Sequence, residues 1–173
     1  MRKPRVLVQG ARYHVTARTN RKELLLDSDK IKELFIDVVS RAKKKYGFRL
    51  ESICVMGNHV HLIIQPQASG NLSSILQWIL SVFAMAWNRI HQQTGHVWGQ
   101  RFFSKVISGL AEFLHTFLYL DANPVSAGLV DQPEDWKFGG FGLRRRQNLL
   151  LLDDPPKELI SLLPRHFPVA RFT

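Results

Sequence analysis

The fold is decided by a stretch that runs from a short turn into a strand, Val55-Met56-Gly57-Asn58-His59-Val60-His61-Leu62-Ile63-Ile64. Successive side chains of a strand point to opposite faces, so both imidazoles would project from one face while the apolar residues pack on the other. The connection Gly57-Asn58 is a hairpin signal, which predicts strands over residues 48–56 and 58–66. Two imidazoles on one face form half of a site for a divalent ion; the alternative is a pair of ordinary polar strand residues.

The same alternation occurs upstream, over residues 10–19, and predicts a first strand. Its apolar positions are Tyr13, Val15 and Ala17, and its polar positions are Arg12, His14, Thr16 and Arg18. This strand would therefore carry a basic polar face. After it, Ser28 is a suitable N-cap for an amphipathic helix that Gly47 would end.

Two further helices and a fourth strand are predicted downstream. Apolar residues at spacings of three and four indicate a helix from Asn71 to about Thr94, closed by Gly95, and a strand lies within residues 98–108. A helix from about Leu110 to Ala122 would end at Asn123-Pro124, because the residue before proline is disfavoured in helical conformation. This order predicts an α+β, ferredoxin-like (RRM-like) antiparallel sheet with helices on one face and an open face for a site.

Composition and charge bound the organisation of the chain. Its 173 residues, 45% of them hydrophobic, suit one domain over residues 1–130 with an irregular C-terminal tail, residues 131–173, packed on it. The formal net charge is +10, and residues 1–50 hold 14 Lys and Arg against 5 Asp and Glu. Such an asymmetry favours a polyanionic partner, although a solvated basic face is the alternative.

Cysteine content and hydropathy indicate the compartment. The single cysteine, Cys54, excludes an internal disulfide, and its place in an apolar strand favours a buried thiol. The basic N-terminus has no apolar segment behind it, and no stretch is long enough to cross a bilayer. The sequence therefore predicts a cytoplasmic protein without a membrane partner.

Three motifs at consistent spacing carry a family resemblance. They are Tyr13-His14-Val15-Thr16-x-Arg18, Val55-Met56-x-Asn58-His59-Val60-His61-Leu62 and Tyr119-x-x-x-Asn123-Pro124-Val125-x-Ala127-Gly128-Leu129-Val130. Together they resemble the single-tyrosine HUH transposases, in particular the REP-associated tyrosine transposases, from about residue 6 to residue 130. The resemblance implies cleavage and rejoining of single-stranded DNA at palindromic, hairpin-forming sequences. We expect the protein to act as a monomer or a homodimer.

Site roles follow from this resemblance by position. His59 and His61 would bind a divalent metal, Mg²⁺ or Mn²⁺, and Tyr119 would attack the scissile phosphate to give a 5′-phosphotyrosine. Asn123, four residues after Tyr119, would be a third ligand or simply a helix stop, and Asp121 and Glu112 are lower-ranked alternatives.

Nucleic-acid contacts are expected from five residues: Arg12, His14, Arg18, Arg101 and Lys105. The chain departs from the family pattern at two places, with Gly57 where a proline is expected and residues 136–140 where an aromatic-serine-serine stretch is expected. The second departure puts recognition of DNA by the tail in doubt.

Two other functions fit part of the sequence. His14-Val15-Thr16 matches the His-x-Thr pattern of two-histidine phosphoesterases acting on RNA, but His59-Val60-His61 lacks the Ser or Thr that the second motif needs. A non-catalytic, domesticated transposase relative that only binds nucleic acid would have the same sequence features. A requirement for divalent ions separates the first rival from a transposase, and formation of a covalent adduct separates the second.

Overall fold

The computed structural model describes residues 8–146 and 151–163. One antiparallel sheet has the strand order β2-β3-β1-β4. Its strands are β1 (Tyr13–Arg18), β2 (Arg49–Val55), β3 (His59–Gln65) and β4 (Phe103–Val106). The α-helices of the described residues are α1 (Asp29–Tyr46), α2 (Leu72–His91), α3 (Leu110–Ser126), α4 (Gly140–Arg145) and α5 (Lys157–Ile160). The α+β, ferredoxin-like topology predicted from the sequence is confirmed.

The main core lies between one face of the sheet and helices α1 and α2. Val15 of β1 and Leu62 of β3 are fully buried there against Phe35 of α1. The predicted caps of α1 are present, since Ser28 Oγ accepts from the backbone N–H of Ile31 at 3.4 Å and Gly47 ends the helix with φ +65°. These apolar residues occupy the alternate positions of β1 and β3, so the polar positions are left for the opposite face.

The opposite face of the sheet carries a second apolar cluster under α3 and α4. Ile63 of β3 packs there with Phe117 of α3 and Phe141 of α4. The sequence pattern predicts that this face is open. In the structure, α3 buries its apolar residues against part of it. The part of the face that carries the polar positions of β1 and β3 lies beside α3, which brings that helix next to the histidine strand.

Two predicted helix ends are wrong, and both are explained by local backbone geometry. Helix α2 ends at His91, because the following residue, Gln92, adopts a left-handed conformation (φ +52°), and Gly95 lies in the segment after it. Helix α3 continues through Pro124, because the proline lies near the end of the helix and removes only one backbone N–H donor. Gly128, with φ +68°, provides the actual stop.

The described part of the C-terminal segment packs on the domain. Leu143, Leu151 and Leu152 join the main core, and the buried Arg144 guanidinium donates to the backbone carbonyl oxygens of Glu51 (2.8 Å) and Asp153 (2.6 Å). The tail predicted from the sequence also includes residues 147–150 and 164–173, which lie outside the described residues. Among the described helices, none combines the length and apolar character needed to cross a membrane.

Candidate active site

Strand register places the polar positions of three strands on one face of the sheet. Thr16 of β1 lies between His61 of β3 and Phe103 of β4. Arg18 pairs with His59 in the same way. Directly opposed residues of antiparallel strands point to the same face, so these side chains form one continuous surface. The histidine pair predicted from the alternation therefore lies beside the basic face of β1.

His61 is the most enclosed polar side chain of this surface, with 4% of its area exposed. Its Nδ1 lies 3.1 Å from both His14 Nε2 and Thr16 Oγ1. Its Nε2 is buried and has no hydrogen-bond partner among the described residues. Burial, followed by the charges of neighbouring groups, lowers the pKa of His61 to about 3, so the ring is neutral at physiological pH. A neutral imidazole with one nitrogen hydrogen-bonded and the other unpartnered has the form of a metal ligand.

His59 is held in place from two sides. Its Nδ1 lies 2.7 Å from Asn58 Oδ1, and its ring also hydrogen-bonds to the Asn123 side chain of α3. Asn58 in turn donates from Nδ2 to the carbonyl oxygen of Lys22, at 3.0 Å. Burial and the positive charge of Arg18 lower the pKa of His59, which favours its neutral form. The ring centroids of His59 and His61 are 4.9 Å apart.

Tyr119 of α3 faces the histidines. Its ring centroid lies 5.7 Å from that of His61 and 6.2 Å from that of His14, and the residue is 46% exposed. Asn123 follows one helical turn later and reaches His59, so the continuation of α3 past Pro124 keeps Tyr119 and Asn123 on one face of a regular helix. The phenol is thus accessible to a substrate and adjacent to the imidazoles.

Three side chains that could donate to a metal ion come together here, namely His59, His61 and the Asn123 amide. Within residues 8–146 and 151–163, no cluster of three or more His, Cys, Asp and Glu side chains could hold an ion. Of the two alternative acids, Glu112 binds Lys105 Nζ at 2.6 Å, and Asp121 is buried, where it accepts from the N–H of Phe141. The unpartnered Nε2 of His61 fits a metal ion bound by imidazole and amide donors.

The residues predicted to bind nucleic acid are found in four different environments. The Nε of Arg12 lies 2.8 Å and 3.0 Å from the two carboxylate oxygens of the fully buried Glu51. Lys105 is exposed but ion-paired, and His14 lies at the centre of the histidine cluster. Arg18 and Arg101 line a cavity of about 500 Å³. The structure thus brings Arg18 and Arg101 together and holds Arg12 on a carboxylate.

The sequence does not predict every residue of this surface. The sequence pattern assigns Thr16 and Phe103 to strands but not to the site, although the alternation that identifies His14 and Arg18 also places Thr16 on the same face. Two basic neighbours, Arg21 and Lys22, line the same cavity as Arg18 and belong to a short 3₁₀ turn. Adjacent basic residues in a turn carry no periodic signal, so only the three-dimensional structure reveals them.

Comparison with known proteins identifies the family. The model of the IS200-like transposases matches residues 7–121, which is more than half of the chain. The chain belongs to the IS200-like transposase family. The resemblance to REP-associated tyrosine transposases is also confirmed by relatives of this IS200-like transposase.

Two relatives and one solved structure are similar to this IS200-like transposase. The REP-associated tyrosine transposase of Escherichia coli K12 is 25% identical over 145 residues, covering 79% of this chain and 80% of that protein. A Haemophilus influenzae protein assigned to the same group is 24% identical over 106 residues, or 56% of this chain, and the match spans only 60% of that relative's length. A solved REP-associated tyrosine transposase bound to a REP hairpin superimposes with a TM-score of 0.73 at 20% identity, covering 100% of this chain and 99% of that one. At that identity the superposition shows a common fold.

Proposed function

We propose that this transposase is a divalent-metal-dependent endonuclease and strand transferase that cleaves and rejoins single-stranded DNA at hairpin-forming sequences. One observation carries the proposal: the accessible phenol of Tyr119 lies beside His61, whose Nε2 is buried and unpartnered among the described residues. Membership of a transposase family and the hairpin bound by the solved relative support a DNA substrate of this kind.

Tyr119 is the nucleophile in the proposed reaction. Its Oη attacks the scissile phosphorus, a bond forms between Oη and phosphorus, and the bond from phosphorus to the 3′ oxygen breaks. The phenol proton is lost, and the departing oxygen gains a proton to become a 3′-hydroxyl. The products are a 5′-phosphotyrosine and a free 3′ end, and attack by another 3′-hydroxyl reverses the step. The number of phosphodiester bonds is conserved, so no nucleotide cofactor is consumed.

His59, His61 and Asn123 would hold the ion, Mg²⁺ or Mn²⁺, at this phosphate. When bound, a divalent ion stabilises negative charge on phosphoryl oxygens and favours ionisation of nearby oxygen acids. A free tyrosine has a pKa near 10, so assistance of this kind is needed near neutral pH. Asn58 fixes the His59 ring through Nδ1, and Thr16 and His14 contact the His61 ring through Nδ1, so both rings are oriented before substrate arrives.

Formation of a covalent adduct tests the proposal. A labelled hairpin oligonucleotide with single-stranded flanks, incubated with the protein and Mn²⁺, should yield a protein–DNA adduct on a denaturing gel. Tyr119→Phe should abolish the adduct and retain DNA binding, whereas Tyr46→Phe, which alters a tyrosine of α1, should leave it unchanged. An adduct formed by the Tyr119→Phe variant would refute the assignment of the nucleophile.

Two further outcomes separate the rival functions. Cleavage that persists in chelator without an adduct would indicate the two-histidine phosphoesterase. Binding of the hairpin without cleavage, across a panel of palindromic strands, would indicate a domesticated protein that recognises nucleic acid only.

A further inference from the structure

Four cationic side chains line one cavity beside the histidines. They are Arg18, Arg21, Lys22 and Arg101. Among the described residues, none of them lies within 4.0 Å of a carboxylate oxygen, and no acidic residue lines the cavity. A group of uncompensated cations in a concave surface attracts a polyanion, because low-dielectric walls focus its field.

The walls of this cavity are held rigidly. The N–H of Gly99 donates to the carbonyl oxygen of Arg18 at 3.1 Å, and the N–H of Asn20 donates to that of Val97 at 2.8 Å. Arg21 and Lys22 both adopt positive φ values, +51° and +60°, which residues with side chains rarely do. Such conformations persist only where the surroundings impose them, and they concentrate at binding sites.

An exposed aromatic side chain forms the edge of the same cavity. Phe103 is 62% exposed and lies opposite Thr16, which lies opposite His61. Neighbouring strands are about 4.8 Å apart, so Phe103 lies two strands, or roughly 10 Å, from His61. Phe102, the preceding residue, is buried on the core side, so the exposure of Phe103 follows from the pleat of the strand.

We propose that this cavity and Phe103 form a subsite for the unpaired DNA strand that flanks the scissile phosphate. An unpaired base stacks on Phe103, and the phosphates on either side lie against Arg18, Arg21, Lys22 and Arg101. Aromatic platforms combined with basic grooves are the means by which proteins bind single strands, whereas the bases of a duplex stem are stacked inward and leave such a platform unused. The subsite rests on the proposed function, because it takes the strand that Tyr119 would cleave.

Binding of two DNA ligands tests the platform. Fluorescence anisotropy would compare a hairpin with single-stranded flanks against the same hairpin with blunt ends. Phe103→Ala should weaken binding of the flanked hairpin about fivefold or more and leave the blunt hairpin unchanged, and Phe103→Trp should restore affinity. The control is Met85→Ala, which removes a side chain of similar exposure (64%) from α2. Equal effects on both ligands, or no effect on either, would overturn the platform.

Salt dependence tests the cations. Arg21→Gln and Arg101→Gln should each reduce the slope of log affinity against log salt concentration by about 0.7 for the flanked hairpin, because each removes one phosphate contact. Lys44→Gln, on α1 across the sheet, should leave the slope unchanged. Slopes equal to that of the unaltered protein in both arginine variants would refute the proposed contacts between these arginines and DNA phosphates. If the Phe103 and arginine variants behave as expected but no adduct forms, the proposed reaction is refuted and the subsite is retained. If an adduct forms but these variants bind like the unaltered protein, only the subsite is refuted.

Discussion

Substitution of Arg12 by glutamine should destabilise the fold while leaving the DNA affinity of the folded protein nearly unchanged. Arg12 contacts Glu51, whose side chain has no exposed area, and its guanidinium also lies 5.6 Å from the ring centroid of Phe113. Arg49, at 3.8 Å and half-exposed, screens the carboxylate only weakly, and the buried Arg144 guanidinium donates to the backbone carbonyl oxygen of Glu51 and pairs with Asp154. Removal of Arg12 would therefore leave a buried carboxylate with little compensation.

The size of the loss follows from this geometry. Removal of one partner from a buried ion pair costs about 3–5 kcal/mol, and the Arg12 side chain is 32% exposed, which favours the lower end, about 3 kcal/mol. For a chain of this length that loss lowers the melting temperature by about 6–12 °C. Glu51→Gln in the same chain should recover most of it, because an amide tolerates burial without a cation.

The pH dependence gives the prediction a sign. Burial raises the pKa of Glu51, and Arg12 opposes that rise. Without Arg12 the pKa rises further, so the folded variant takes up a proton that the unfolded chain, with its lower pKa, does not yet bind. The loss of stability in Arg12→Gln is therefore largest near neutral pH and shrinks as the pH falls through the raised pKa of Glu51.

Thermal denaturation across this pH range would measure the loss of stability and its pH dependence. DNA binding, measured below the melting temperature, would check that the affinity is unchanged. An unchanged melting temperature together with a large loss of affinity would refute the reasoning, because it would make Arg12 a DNA contact and not a counter-ion.

Two other predictions concern the metal donors and the packing of α4. Asn123→Ala should raise the Mn²⁺ concentration needed for half-maximal adduct formation about tenfold or more, whereas Asn123→Asp should not, and an unchanged requirement in a Mn²⁺ titration would exclude Asn123 as a ligand. Gly142→Ala should destabilise the fold by about 2 kcal/mol or more in urea denaturation, because its Cβ would overlap the backbone oxygen of Trp136. Gly57→Ala is the matched control, since its Cβ would meet only the flexible Leu24 side chain, at 3.0 Å, and similar midpoints for the two variants would contradict this.

Local patterns are sufficient to predict the sheet and the pairing of its faces. The alternation around His59 and His61 and that around Tyr13 and Val15 each place apolar residues on the core side, which the register of β1 and β3 confirms. The caps of α1 are also predictable, since Ser28 and Gly47 act within one turn of the helix. These features depend on residues that are close in sequence.

Features that depend on distant residues are not predictable in this way. Pro124 indicates a helix stop in the sequence, but it removes only one backbone donor near the end of the helix, and α3 runs on to Ser126. Glu51 and Arg144 lie 93 residues apart in the chain, and their contact arises only when the C-terminal segment crosses β2. The predicted roles of the two histidines of β3, Asn123 and Tyr119 remain predictions until the adduct assay is done, although the structure brings the four residues together.

The hairpin between β2 and β3 determines which face of the sheet carries the two histidines. Gly57 and Asn58 span it, their carbonyl oxygens accept from Leu26 and Thr19, and the N–H of Met56 donates to His59. Adding or deleting one amino acid before His59 would move every side chain of β3 to the opposite face of the sheet. Both imidazoles would then be buried in the apolar core, and Val60 would be exposed. In descendants of this gene, the length of this loop should therefore be far less tolerant of insertions and deletions than the identity of Gly57.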